Sequence, residues 1–159
     1  MSVPSSYRTT VVHWGKSQAN ILRLLASFDV VDVRFTMLDS RGEIICEFNY
    51  PTEMEGKDTV IGVRIKVPFP PQGRIKDSER LKNQAHRALF YYLKTKFEAL
   101  QFGLVEFIQE FLPHLVIADK SGHLGTVYQA LGPKLKQSFI AGGQGNIPML
   151  EDMRTEGVR

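Results

Sequence analysis

Val31-Asp32-Val33-Arg34-Phe35-Thr36-Met37-Leu38, then Glu43-Ile44-Ile45-Cys46-Glu47-Phe48-Asn49-Tyr50, then Val60-Ile61-Gly62-Val63-Arg64-Ile65-Lys66-Val67: these three runs decide the fold class. In each, apolar residues take every second place. Val31, Val33, Phe35 and Met37 fall on one side of the first run, Ile44, Cys46, Phe48 and Tyr50 on one side of the second, and Ile61, Val63, Ile65 and Val67 on one side of the third. Period two places alternate side chains on opposite faces of a strand, so each run predicts a strand with one buried face. An antiparallel sheet covered on one side has this pattern, whereas parallel strands buried on both faces read as unbroken apolar runs. Asp39-Ser40-Arg41-Gly42 has turn composition between the first two strands, and Pro51–Asp58 reads as a polar loop before the third.

On the N-terminal side, Thr9–His13 is β-branched enough for a further short strand. Gly15 breaks it and Ser17 is placed to cap a helix over 17–28, where Ile21, Leu22, Leu24, Leu25 and Phe28 recur at helical spacing. On the C-terminal side, Pro68, Pro70, Pro71 and Gly73 stop the sheet, because proline gives no N–H to a ladder. Asp77 or Ser78 then starts the longest helix, carried by Leu81, Ala85, Ala88, Leu89, Tyr92, Phe97 and Leu100 up to Gly103. Leu104 to Leu112 predicts a shorter helix, Asp119–His123 a turn, and Val127 to Leu135 a last short helix that Gly132-Pro133 is able to split. The order is (β)-α-β-β-β-α-α-(α), an α+β fold with a three- to four-stranded antiparallel sheet under helices. Residues 1–140 form one domain in this reading, and 141–159, with Gly142, Gly143 and Gly145, a flexible tail.

Composition narrows the functions. The 159 residues suit one domain, and 43% hydrophobic with 23% charged residues is globular. No apolar run reaches the ~18 residues of a membrane span, so no membrane partner is expected. No basic-then-apolar leader opens the chain, which points away from secretion, and a single Cys46 suits a reducing cytoplasm. One cysteine also excludes an internal disulfide, and alternation makes Cys46 a buried thiol rather than a nucleophile.

Catalytic chemistry is poorly supplied. Gly15-Lys16-Ser17 ends like a phosphate-binding loop, but the glycine needed five places before Gly15 is Thr10. A turn and helix cap is the simpler reading, with the N–H groups of that helix start still available to one phosphate. His13, His86, His114 and His123 lack metal-ligand spacing, and only the loop between His114 and His123, with Asp119, resembles an acid/base group. Glu106 and Glu110 repel at i, i+4 and call for a basic partner from a neighbouring surface. No enzyme, no metal and no cofactor is expected.

The charge is uneven. Arg74, Lys76, Arg80, Lys82 and Arg87 against Asp77 and Glu79 leave five minus two, or +3, equal to the net charge of the whole chain. Basic residues near a helix start, where the dipole is already positive, favour an anion such as phosphate. Arg34, Arg64 and Lys66 add cations on the outward sheet face, beside Glu43 and Glu47. These eight residues are the candidates for nucleic-acid binding, single-stranded DNA in replication or recombination above all. The sheet aromatics Phe35, Phe48 and Tyr50 lie inward, unlike base-stacking sheet aromatics. The helices carry too many aromatics for one apolar stripe, so Phe90, Tyr91, Phe102 and Phe107 are candidates for a subunit interface. An oligomeric protein-binding module, such as an assembly factor or an inhibitor of a host system, is the alternative.

Lys94, Lys96, Phe97, Glu98 and Ala99, the break at Gly103, and Glu110, Phe111 and Leu112 together carry a resemblance. This stretch resembles a group of small uncharacterised proteins of bacteriophages, prophages and related bacterial genomes, over about residues 78–130. The resemblance implies a mobile-element context and a host-cell cytoplasm, and it assigns no functional residue. The α-β-β-β-α order over 17–102 is similar to that of a double-stranded-RNA-binding domain, without that family's Lys-Lys-x-Ala-Lys helix start. A β-β-β-α core also resembles the folding unit of single-strand annealing proteins.

Overall fold

The computed structural model describes residues 6–70 and 78–142. They fall in two compact units, Met1–Tyr128 and Gln129–Arg159. The larger unit is α+β, with the order α1 (Trp14–Ala26), β1 (Val33–Leu38), β2 (Glu43–Met54), β3 (Lys57–Pro68), α2 (Ser78–Gln101), α3 (Phe107–Phe111), β4 (Val116–Ala118) and β5 (Leu124–Thr126). Helix α4 (Val127–Ile140) begins in it and supplies the described part of the second unit.

Strands β1, β2 and β3 form an antiparallel sheet in that order. The alternation sets its register, with Phe35 opposite Cys46 and Cys46 opposite Ile65. Ile44, Cys46, Phe48, Val63 and Ile65 are buried on the covered face. Against them pack Ile21 and Leu25 of α1, Ala85, Leu89, Leu93 and Phe97 of α2, and Phe111 of α3. A ring cluster forms the centre: Phe97 lies 4.4 Å from Phe28 and 5.3 Å from Phe111, and Phe111 meets Phe48 edge-on.

Four local expectations change. No strand forms over 9–13; residues 10–13 are irregular and Val11 is exposed. Helix α1 starts at Trp14, because His13 is the N-cap and its ring accepts from the Gly15 N–H. Ser17, expected as the cap, is fully buried in the first turns of the helix. The presumed loop 51–58 is strand on both sides of a tight turn, at Glu55 (φ 51°) and Gly56 (φ 74°). Two positive φ values are what a two-residue hairpin turn needs to match strand twist. Pro51 fits in β2 because β1 pairing ends at Phe48, so the outer side of β2 there needs no N–H.

The segment after α2 also differs. The expected 104–112 helix shrinks to five residues and a 3-10 turn over Leu112–His114. A hairpin of two three-residue strands, β4 and β5, follows and meets the β3 edge through the Leu115–Val63 bridge. Helix α4 runs on through Pro133. The predicted tail lies, from residue 143 on, outside the described residues.

Candidate binding surfaces

The basic candidates prove mostly committed. Arg74 and Lys76 lie outside the described residues. Lys82 holds Asp39 at 2.8 Å, and its side chain is only 14% exposed. Arg80 is half-buried and has an interaction of its own. Arg87 lies 5.1 Å and 4.8 Å above the Phe90 and Tyr91 rings and donates to the Tyr91 hydroxyl. Its Nη1 is buried without a hydrogen-bond partner among the described residues.

On the outward sheet face, Glu47 sits between two arginines. Arg34 Nε donates to one carboxylate oxygen at 2.7 Å and Arg64 Nε to the other at 2.8 Å. Burial pushes the Glu47 carboxyl up, but the hydrogen bonds and charges of Arg64 and Arg34 outweigh that and hold it below the usual carboxylate range. The three line a groove of about 460 Å³ with Asp32 and Asn49, walled by Val116 and Leu124 of the hairpin. Gly62 belongs to this wall, because a Cβ there would touch the Val116 side chain at 3.5 Å. Lys66 is exposed on the same face, opposite Ile45.

Three of the four interface candidates have intramolecular partners. Phe90 packs on the core, Tyr91 stacks on Tyr7 at 5.3 Å, and Phe107 stacks on Tyr50 at 3.6 Å. Phe102 alone of the four is exposed, at 84%. The surplus of aromatics on α2 is thus largely absorbed by its being packed on several sides, by α1, β3 and α3.

The helix start at Gly15-Lys16-Ser17 holds no phosphate cradle. Trp14 N–H donates to Asn83, Gly15 N–H to the His13 ring, and the Lys16 and Ser17 N–H groups to the His13 carbonyl. That expectation fails because His13 and Asn83 already use the donors. His13 also meets Glu79 at 2.8 Å, and His86 is fully buried, bonded to Gln18 and the Lys82 carbonyl. His114 and His123 are each engaged locally rather than with one another. His114 meets the Tyr92 hydroxyl at 2.6 Å, and His123 belongs to the exposed β4–β5 turn with Ser121 and Asp119. Asp119 Oδ1 accepts from Ser121 N–H, Ser121 Oγ and His123 N–H. Its carboxylate is therefore committed to closing the turn, which holds its carboxyl below the usual range. Among the described residues no cluster of three metal-ligating side chains forms, and no helix is long and apolar enough to cross a membrane.

Helix α4 was legible in sequence, but its uncovered face was not. Leu131, Leu135 and Phe139, spaced i, i+4 and i+8, are 47%, 55% and 60% exposed. That spacing places them within about 40° of one another around the axis per step. Lys134 and Lys136 flank Leu135, and no acidic residue lies on the helix. Only Gly132 of its fourteen residues is buried. No family model, curated protein or solved structure matches this chain.

Proposed function

We propose that the chain is a non-enzymatic, self-associating protein-binding module whose contact surface is the apolar stripe of α4. One observation carries the reading: Leu131, Leu135 and Phe139 form a continuous row at helical spacing, each about half exposed. Apolar helical anchors of this kind are the usual means by which a helix docks on a partner. The first partner available is a second copy of the chain. Two antiparallel α4 helices crossing at Leu135 set Leu131 of one copy against Phe139 of the other.

Its strength follows from the areas. Full burial of a Leu or Phe side chain is worth about 1.5–3 kcal/mol, so six half-exposed ones give about 5–9 kcal/mol. Association itself costs about 4–15 kcal/mol. At the favourable end of both ranges about 5 kcal/mol remains, so the expected dimer is weak, with a Kd of about 0.2 mM at its tightest. Lys134 and Lys136 of one copy lie near those of the other, so added salt tightens the dimer by screening. Sedimentation equilibrium over a wide concentration range tests this. Concentration-dependent dimerisation that Leu135→Glu abolishes supports it; a strict monomer at millimolar concentration refutes it.

A second reading, an accessory protein binding single-stranded DNA in a mobile element, rests on the outward sheet face. There Arg34 and Arg64 share one carboxylate, and Lys66 is exposed. A gel shift at low salt that disappears in Arg34→Glu/Lys66→Glu supports it; no shift with single strands, duplex or RNA rules it out.

A further inference from the structure

The groove on the outward sheet face holds polar groups that the chain leaves unpaired. The register lays them out in two neighbouring rows across β1, β2 and β3: Arg34, Glu47 and Arg64 in one, Asp32, Asn49 and Gly62 in the other. Glu47 takes the Nε–H of both arginines. No hydrogen bond among the described residues uses Nη1 or Nη2 of Arg64, although that side chain is only 23% exposed. The exposed Asp32 carboxylate and Asn49 side-chain amide also make no hydrogen bond or ion pair among the described residues.

An apolar wall stands beside these groups. Val63 is buried on the covered face, so Gly62 next to it faces outward. The Val116 side chain lies over Gly62, 3.5 Å from where a Cβ would be, and Asn49 Oδ1 lies 3.9 Å from the same point. Leu124 is on the same side of the β4–β5 hairpin as Val116, because Val116 pairs with Thr126, two residues beyond it. It is 64% exposed and lines the groove, whose volume of about 460 Å³ is within the range of small-molecule sites. From strand spacing and rise, the Cα positions of Asp32 and Arg64 lie about 12 Å apart, with Asn49 between them. The Arg64 guanidinium leans over β2 toward Glu47, which shortens that gap to the reach of a small ligand.

We infer that this groove binds a free α-amino acid with an apolar side chain. Its carboxylate accepts from the unused Nη groups of Arg64, its ammonium donates to Asp32 and to Asn49 Oδ1, and its side chain lies over Gly62 against Val116 and Leu124. Charge selects this class. The lining carries two cations, Arg34 and Arg64, and two anions, Asp32 and Glu47, so it is balanced and suits a ligand that is balanced too. Glu47 is taken up by the arginines, which leaves Asp32 as the carboxylate open to a ligand cation. A plain anion would pair with Arg64 and be repelled by Asp32; a plain cation would do the reverse.

Three probes separate these terms: L-leucine, N-acetyl-L-leucine without the ammonium, and L-leucinamide without the carboxylate. Each is titrated into the full chain and followed by heteronuclear NMR. Leucine is expected to bind about fivefold more tightly than either of the others, the worth of one solvent-accessible ion pair. Its shifts should centre on Asn49, Gly62 and Leu124. Asp32→Asn should weaken leucine about fivefold and leave N-acetyl-L-leucine no weaker. Arg64→Lys keeps a charge for Glu47 but loses the fork, so it should weaken leucine and N-acetyl-L-leucine and spare L-leucinamide. Should Arg64→Lys misfold, Asp32→Asn, at an exposed position, still decides the matter. N-acetyl-L-leucine or L-leucinamide binding as tightly as leucine, leucine binding that Asp32→Asn does not change, shifts elsewhere on the molecule, or no binding of leucine overturns the inference.

Discussion

Removing one partner of the Lys96–Glu110 pair measures how firmly α3 is fastened to α2. Lys96 Nζ lies 2.8 Å from Glu110 Oε1, and the two side chains are 12% and 22% exposed. The ammonium also sits 4.6 Å from the Tyr92 centroid and 5.4 Å from that of Phe111. A solvent-exposed pair is worth about 0–1 kcal/mol, whereas stripping one partner from a fully buried pair costs about 3–5 kcal/mol. This pair is mostly shielded but not dry. Glu110→Gln should therefore cost about 1–2.5 kcal/mol, because it keeps an acceptor but leaves a shielded ammonium without its counter-charge. Lys96→Met keeps the packed stem and removes the charge, so it should cost less, about 0.5–1.5 kcal/mol. The double variant should lose less than the sum, with a coupling of about 1 kcal/mol. Urea unfolding followed by circular dichroism gives all three values. Single losses under about 0.5 kcal/mol that simply add would mean the pair is solvated and does not anchor α3.

Three further outcomes are expected. Burial pushes the Cys46 thiol up to about 12, with the neighbouring Glu47 charge adding to it, so a thiol reagent should label Cys46 only in denaturant; rapid labelling of the native chain would place it at the surface. His86 and His114 are both pushed down, by burial first. Unfolded histidine takes a proton near pH 6.5 and these two do not, so their stability contribution is complete above that pH and is lost as pH falls below it. The slope is at most about 1.4 kcal/mol per pH unit for each, read from urea midpoints between pH 7 and 5; a flat profile would contradict their burial. Gly56→Ala, at φ 74° in the β2–β3 turn, should cost about 1 kcal/mol in the same assay, whereas a neutral effect would mean that the turn relaxes.

The sheet was legible because its signal is strictly local. Ile44, Cys46 and Phe48 alternate over a span longer than any accidental run, and their register follows. The β2–β3 turn was hidden because Glu55 is not among the usual residues of such turns, although Gly56 beside it is. The β4–β5 hairpin was hidden for a different reason: three residues per strand are too few to display a period. Helix α1 was misplaced by three residues because a histidine ring took the capping role usually filled by Ser, Thr, Asp or Asn.

Candidate sites were legible as residue types but not as partners. The surplus of cations between Arg74 and Arg87 is a sequence fact. That Lys82 reaches Asp39, forty-three positions away, is not. The repulsive pair Glu106 and Glu110 did announce a missing cation, and Lys96 is that cation for Glu110. Helical spacing gave Leu131 and Leu135 without saying whether anything covers them, because an apolar stripe reads the same in a core and on an uncovered helix.

Amide NMR spectra of the isotopically labelled chain, recorded from low micromolar to millimolar concentration, examine the α4 contact directly. Concentration-dependent shifts should cluster at Leu131, Leu135, Phe139 and their neighbours, grow with added salt, and vanish in Leu135→Glu. Spectra that do not change with concentration, or changes confined to the β1–β2–β3 face, would mean that α4 is not where this protein meets a second copy of itself.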